Sequence, residues 1–428
     1  MTKAKCELFP ADEMQEIRKQ FLYVEQDCEN NGRLFFDNAG GSLRLAAAEE
    51  AFRRADSIPD CSEHSNRVAR LLEGLELQGR RDLMECVFGA KGGVLFPCDT
   101  ASRINLEMCR VFAENGRGTN VVTTTLEHPS SYDGMKRFAG QFGREFRVAP
   151  VNRGTGGVDA EAVLSLVDRN TAVLSCMHAS NISGYIYDVE TIFRRARERN
   201  PDILILCDAV QHAPHAWLDP EGCGADAVVF APYKFFGVRG FGAAWLSERA
   251  ASLPHHRLLG KPEDEWGVGS PAPGHYASMS AVVDYVTGLG KKELPAETDR
   301  KTLYRRGMER IAAHERALLS VLLDGTEDTS GLRLIPGARV QMDGAPLSRR
   351  DLIVSVEFDR IPCERAALEY EKRGIIAFER AASSLYSKRM VAAFGSSGVV
   401  RISPLHVHTA AEMEHFLRVT QEIALLPG

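Results

Sequence analysis

Residues Asp226 to Gly242 read Asp-Ala-Val-Val-Phe-Ala-Pro-Tyr-Lys-Phe-Phe-Gly-Val-Arg-Gly-Phe-Gly. The stretch opens as a short apolar run with β-branched residues, the pattern of a buried strand. Pro232 has no N–H to give to a ladder, so the strand is predicted to stop there. Lys234 follows at once, then a loop carrying Gly237, Gly240 and Gly242. A lysine at the end of a buried strand, among aromatic rings, is partly desolvated. Loss of solvent disfavours the ammonium and makes the amine a candidate nucleophile. An isolated lysine in such a place more often snorkels to water, so the preceding segment decides.

That segment, Ile203 to His215, reads Ile-Leu-Ile-Leu-Cys-Asp-Ala-Val-Gln-His-Ala-Pro-His. Ile203–Cys207 is a second apolar strand with Asp208 at its C-terminal edge, the edge at which open α/β sheets bind ligands. A carboxylate one strand away from a lysine suits a cofactor with a carbonyl to condense and a ring nitrogen to protonate. Pyridoxal phosphate has both. Without Lys234, Asp208 would read as a helix cap or a turn aspartate.

Asp-Ala-Val-Gln at Asp208–Gln211, followed by Tyr-Lys-Phe-Phe-Gly at Tyr233–Gly237, resembles the class V aminotransferase family, which contains cysteine desulfurases and kynureninases. The resemblance runs from about Asp37 to about Glu412 and rests on several dispersed motifs in one order. It implies an α/β protein of pyridoxal-phosphate fold type I: a seven-stranded, mainly parallel sheet sandwiched by helices, plus a smaller α+β C-terminal domain. The expected division is an N-terminal segment, 1–30, packing with the small domain, a large cofactor-binding domain, 31–290, and a small domain, 291–428.

Further motifs carry the resemblance. Asn38-Ala39-Gly40-Gly41-Ser42 is a turn by default but is similar to a family segment near the substrate, which implicates Asn38 and Gly40. Val94 to Ser102 reads as strand, polar turn and helix start. A helix N-terminus is an anion site, and simple capping by Thr100 explains the same residues. The resemblance gives Thr100 and Ala101 the cofactor phosphate. Asp99 stands where glycine is frequent, so its carboxylate must point away from a phosphate. His128, in Leu126-Glu127-His128-Pro129, matches the histidine that stacks on the cofactor ring, a task that suits an imidazole. In His178-Ala179-Ser180-Asn181-Ile182-Ser183-Gly184 the resemblance places Asn181 by the substrate carboxylate or the cofactor phenolate, and gives Gln211 the phenolate. Tyr233 would supply a phosphate hydrogen bond or a proton.

Trp266-Gly267-Val268-Gly269-Ser270-Pro271 resembles a loop that crosses a dimer interface to the partner's phosphate. Ser270 and a homodimer with shared active sites follow from it. Val399-Val400-Arg401-Ile402-Ser403 resembles the family's Arg-x-Ser, in which the planar guanidinium grips the substrate carboxylate. An arginine inside an apolar strand otherwise needs a carboxylate partner.

The chain has 428 residues, enough for two domains, with 44% hydrophobic and 26% charged residues and a net charge of -6. That charge gives no basic surface for nucleic acid, and no apolar run approaches membrane-spanning length. The N-terminus has no apolar signal core, and the 10 cysteines are scattered without CxxC or finger spacing. Apolar flanks around Cys86, Cys176 and Cys207 point to buried thiols. A cytoplasmic protein without a metal site is expected.

Lys234, Asp208 and His128 are the candidate catalytic residues. Cysteine desulfurases carry a nucleophilic cysteine on a loop before the Arg-x-Ser strand. Here the loop, Phe378 to Tyr386, has none, and no cysteine follows Cys363. The expected activity is therefore a pyridoxal-phosphate-dependent lyase that cleaves or exchanges a C–S or C–C bond of a small α-amino acid without a persulfide relay. Transamination, epimerisation and cofactor binding without turnover are the alternatives.

Overall fold

The computed structural model describes residues 7–428. Seven strands form one sheet in the spatial order Val94–Cys98, Gly242–Leu246, Ala227–Phe230, Leu204–Asp208, Thr171–Met177, Asn120–Thr124, Glu145–Ala149. All neighbours pair in parallel except Gly242–Leu246, which runs antiparallel to both strands beside it. The central strands are continuous apolar runs because both faces are covered. Val121, Val173, Leu206 and Val229 pack under the helices Ala101–Asn115 and Pro129–Gln141, while Val122, Leu174, Ile205 and Val228 face the opposite cluster. Each strand therefore has a different helical layer on each side.

A helix over Arg67–Arg81 continues as a π-helical turn over Asp82–Val87. Asp82 in that turn is buried and paired with Arg300, Nε to Oδ1 at 2.6 Å. Helices Pro273–Glu293 and Arg300–Asp324 cross with their backbones touching: a Cβ on Gly307 would stand 2.0 Å from the Val286 carbonyl oxygen.

Helix Arg300–Asp324 belongs to two hydrophobic clusters. Tyr304, Met308 and Ile311 join the large one; Leu318, Leu319, Leu322 and Leu323 join the C-terminal one. The C-terminal cluster backs a four-stranded antiparallel sheet in the order Phe378–Ala381, Gly398–Ile402, Val354–Phe358, Ala338–Val340. Leu332–Leu334 forms a single 3-10 turn, because Gly331 and Pro336-Gly337 leave too short a run to pair. The apolar run over 374–378 divides. Ile375–Ile376 pairs in parallel with Leu34–Phe35 at the other end of the chain, and Phe378 opens the next strand. Thr409 and Glu412 form the expected capping box of the last helix.

Of the N-terminal segment over 1–30, residues 1–6 lie outside the described residues, and Ala11–Lys19 is helical. Met14, Ile17 and Phe21 enter the large cluster, while Arg18 reaches Glu412 at 3.0 Å. Among the described residues nine cysteines are free, with Cys86, Cys176 and Cys207 buried, and no helix is long and apolar enough to cross a membrane.

Candidate active site

The C-terminal ends of the parallel strands open on a cavity of about 370 Å³. Thr100, Ala101, His128, Asn181, Asp208, Gln211, Tyr233 and Lys234 all line it. These residues come from five separate stretches of chain, and the sheet edge brings them together.

The lysine turn is held from outside. The Ala227–Phe230 strand ends before Pro232, and Pro232–Lys234 is one 3-10 turn. Phe236 then adopts a left-handed conformation with φ of 63°, strained for a residue with a Cβ. The Asn38–Leu45 segment stabilises it: Ser42 N–H donates to the Tyr233 carbonyl (3.1 Å), Phe236 N–H to Ser42 Oγ (2.9 Å) and Leu45 N–H to the Phe236 carbonyl (3.0 Å). Asn38 braces this segment rather than entering the cavity. Its Nδ2 donates to the carbonyls of Phe35 (3.0 Å) and Ser403 (2.9 Å), and its Oδ1 accepts from Leu43 N–H (3.0 Å). Gly40 lets the turn close over the Asp37 carboxylate, where a Cβ would stand 2.7 Å from Oδ2.

Lys234 is buried, with Nζ 3.4 Å from Gln211 Oε1. Burial first, then the Arg401 charge, pushes its pKa down to about 8, with Asp208 opposing. Asp208 is fixed at both oxygens: Asn105 Nδ2 donates to Oδ2 (2.9 Å) and Val210 N–H to Oδ1 (3.1 Å). The His128 ring is driven to about 4 by burial, so it is neutral at pH 7. Ser130 N–H donates to its Nδ1 (3.2 Å), which leaves the ring proton on Nε2.

Thr100 caps helix Ala101–Asn115 through Oγ1, which accepts from Arg103 N–H (3.2 Å), and the first helical N–H groups open on the cavity. Capping by Thr100 thus leaves the first helical N–H groups available to an anion. Strand Gly242–Leu246 approaches so closely that a Cβ on Gly242 would stand 2.4 Å from Ala101 N. The Asp99 carboxylate pairs with Arg103 Nη1 at 3.4 Å, although Asp99 also lines the cavity. Arg239, 4.8 Å from the Tyr233 ring centroid, lines the same cavity and was not singled out by sequence.

The fit to pyridoxal phosphate is chemical as well as spatial. A depressed-pKa amine, a fixed carboxylate, a flat neutral ring and a helix N-terminus face one hollow. Asn181 Oδ1 is buried there without a hydrogen-bond partner. Such an orphan acceptor is costly unless a ligand supplies a donor.

Arg401 lies at the edge of this space, 2% exposed. Nη2 meets Asp37 Oδ1 at 2.5 Å, and Nη1 donates to the Asn181 carbonyl at 3.1 Å. The carboxylate partner that a buried arginine demands is thus Asp37. Ser270 does not line its own chain's cavity. Its Oγ donates to Glu63 Oε2 at 3.2 Å, and its loop walls an adjoining open cleft of about 970 Å³.

A fold of this topology, with a lysine and an aspartate on adjacent strand ends, defines a pyridoxal-phosphate enzyme of the α/β type. The sequence pattern of the family described as Aminotransferase class-V matches residues 62–416, and the chain belongs to that family. It is 26% identical over 356 residues to "Probable cysteine desulfurase 2" of Mycobacterium leprae, covering 80% of this chain and 82% of that protein. It is 25% identical over 360 residues to "Probable cysteine desulfurase" of Streptomyces coelicolor, covering 78% of this chain and 80% of the relative. Among solved structures, the apo cysteine desulfurase of Thermococcus onnurineus NA1 superposes with a TM-score of 0.79 at 18% identity, covering 98% of this chain and 99% of that one. The cysteine desulfurase CsdA (S-sulfonic acid) of Escherichia coli gives 0.76 at 16% identity, with 97% and 99% covered. The family is pyridoxal-phosphate-dependent, and this chain is an enzyme of that kind.

Proposed function

We propose that the protein is a lyase acting on a small α-amino acid, breaking or exchanging a C–S or C–C bond without a cysteine relay. The observation that carries this reading is the thiol inventory of the site. Among the described residues no cysteine lines the cavity that Lys234 and Asp208 share. Cys363, the last in the chain, is buried at the start of helix Cys363–Glu371, its pKa pushed up to about 12 by burial and by its hydrogen bond to Glu364. The turn after strand Phe378–Ala381, where desulfurases carry their nucleophile, is Ala382-Ser383-Ser384-Leu385-Tyr386. Serine is a far poorer sulfur carrier than a thiolate.

Bound pyridoxal phosphate supplies an electron sink that acidifies the bonds at the amino acid's Cα. The chain's residues divide the remaining work. Asp208 would keep a proton on the ring nitrogen and so sustain that sink. Lys234 would hold the cofactor through its carbonyl carbon and carry protons at Nζ, a task matched to a pKa of about 8. His128 would pack beside the ring. Asn181 and Gln211 bond the phenolate oxygen, and the helix start at Thr100 and Ala101 takes the phosphate together with Tyr233. Arg401 exchanges Asp37 for the substrate carboxylate. The open cleft beside the cavity supports a homodimer in which Ser270 reaches the partner's phosphate, and the cytoplasm is the fitting compartment.

Incubation of the loaded enzyme with a panel of amino acids, scoring sulfide, ammonia, CO₂ and keto acid, tests the reading. Release of a side-chain fragment supports it. A keto-acid-dependent half-reaction or bare deuterium exchange at Cα would replace it with transamination or epimerisation. Spectral shifts without product would reduce it to binding.

A further inference from the structure

Among the described residues Arg380 has no anion of its own. It stands on strand Phe378–Ala381, buried to 7% exposure, with Nε lacking any hydrogen-bond partner. The register pairs Phe378 with Arg401 and Arg380 with Val399, so both arginines share one face of the small sheet as diagonal neighbours. The Phe378 ring lies between them, its centroid 5.7 Å from the Arg380 Cζ and 5.5 Å from the Arg401 Cζ. Burial first, then the Arg401 charge, lowers the Arg380 pKa to about 9, and only Asp37 opposes the shift. Asp37 is already bonded to Arg401. Arg380 does not itself line the hollow, but its charge is close enough to depress the proton affinities of Lys234 and His128, which do.

A buried guanidinium without a counter-charge is costly, and its planar fork matches an oxyacid. We propose that Arg380 is a specificity residue that binds an acidic group on the substrate's side chain, so that the enzyme's substrates are acidic α-amino acids. The assignment rests on the amino-acid reading above, in which Arg401 takes the α-carboxylate. Diagonal neighbours across an antiparallel pair lie about 7–8 Å apart, within reach of long side chains. The two forks can therefore close on the two acid groups of one small molecule.

Calorimetric titration of the cofactor-loaded enzyme with L-aspartate, L-asparagine and L-alanine tests this. Asparagine keeps the shape of aspartate and lacks only the charge. The expected result is aspartate binding at least about tenfold tighter than asparagine. That preference disappears in Arg380→Gln and is partly restored in Arg380→Lys, while the dissociation constant for alanine stays within about twofold in both. Melting temperatures verify that both variants are folded. Equal weakening of all three ligands in Arg380→Gln overturns the assignment, because Arg380 would then anchor the α-carboxylate. Equal binding of aspartate and asparagine by the unmodified enzyme overturns it as well, leaving the amino-acid reading intact. Failure of all three to bind overturns both.

Discussion

Asn105 donates from Nδ2 to Oδ2 of Asp208 at 2.9 Å, and both side chains are buried. Asn105 lies one turn inside helix Ala101–Asn115, whose first residues line the same cavity, at the end proposed for the phosphate. One helix therefore sets the position of the anion site and the direction of the carboxylate. Asn105→Ala removes a hydrogen bond to a charged group, worth about 1.5–3 kcal/mol. Cofactor retention should persist while kcat falls about ten- to a hundredfold. Steady-state rates beside the visible absorbance of the bound cofactor check this.

Lys234 makes folding depend on pH. Its ordinary pKa of 10.5 falls to about 8 on burial. Between those values the unfolded chain holds a proton that the folded chain lacks, so this residue makes stability rise with pH across that window. Below about pH 8 the folded protein carries the full penalty, about 3 kcal/mol. Lys234→Met in the cofactor-free protein should therefore be stabilising at pH 7, and the gain should vanish as pH approaches 10.5. Denaturant unfolding at several pH values measures the slope.

His215 works in the opposite sense. Burial alone would lower its pKa, but the charges of Glu315 and then Asp351, with a 2.7 Å hydrogen bond to Glu315, push it up to about 9. The pair's contribution is complete below the ordinary value of 6.5 and is lost as pH rises through about 9. Glu315→Gln strands a buried cation and should cost about 3–5 kcal/mol at pH 6, with a much smaller penalty above pH ~9. Thermal unfolding across that range gives the answer.

Ser42 holds the strained residue behind the lysine. Ser42→Ala removes the acceptor for Phe236 N–H, which costs about 1–3 kcal/mol when the donor stays buried. The lysine turn loosens, and the cofactor's dissociation constant should rise about tenfold with little change in overall melting. Equilibrium dialysis of the cofactor measures it.

Much of the site was legible because it is made of strand ends. Apolar runs terminated by Pro232 and Asp208 identify themselves, and the sheet places whatever follows them side by side. The supporting residues left no such trace. Asn105 is a polar residue on an otherwise ordinary helix, Ser130 looks like a first-turn serine, and Arg239 sits in a glycine-rich loop. Their partners are distant in sequence, so no local pattern marks them. Glu145–Ala149 escaped notice as a strand because an edge position tolerates charges, and Glu145 and Arg147 project from it. Asn38 fits a family segment near the substrate, yet its amide is bonded to the backbone of Phe35, Leu43 and Ser403.

The pairing of Leu34–Phe35 with Ile375–Ile376, and of Asp37 with Arg401, joins the beginning of the chain to its last stretch. During synthesis the first partner leaves the ribosome more than three hundred residues before the second, an interval set by those same pairings. A nascent chain can complete the seven-stranded sheet and gather its lysine and aspartate while Arg401, proposed above to take the substrate carboxylate, is still untranslated. On that proposal, cofactor capture can precede substrate recognition.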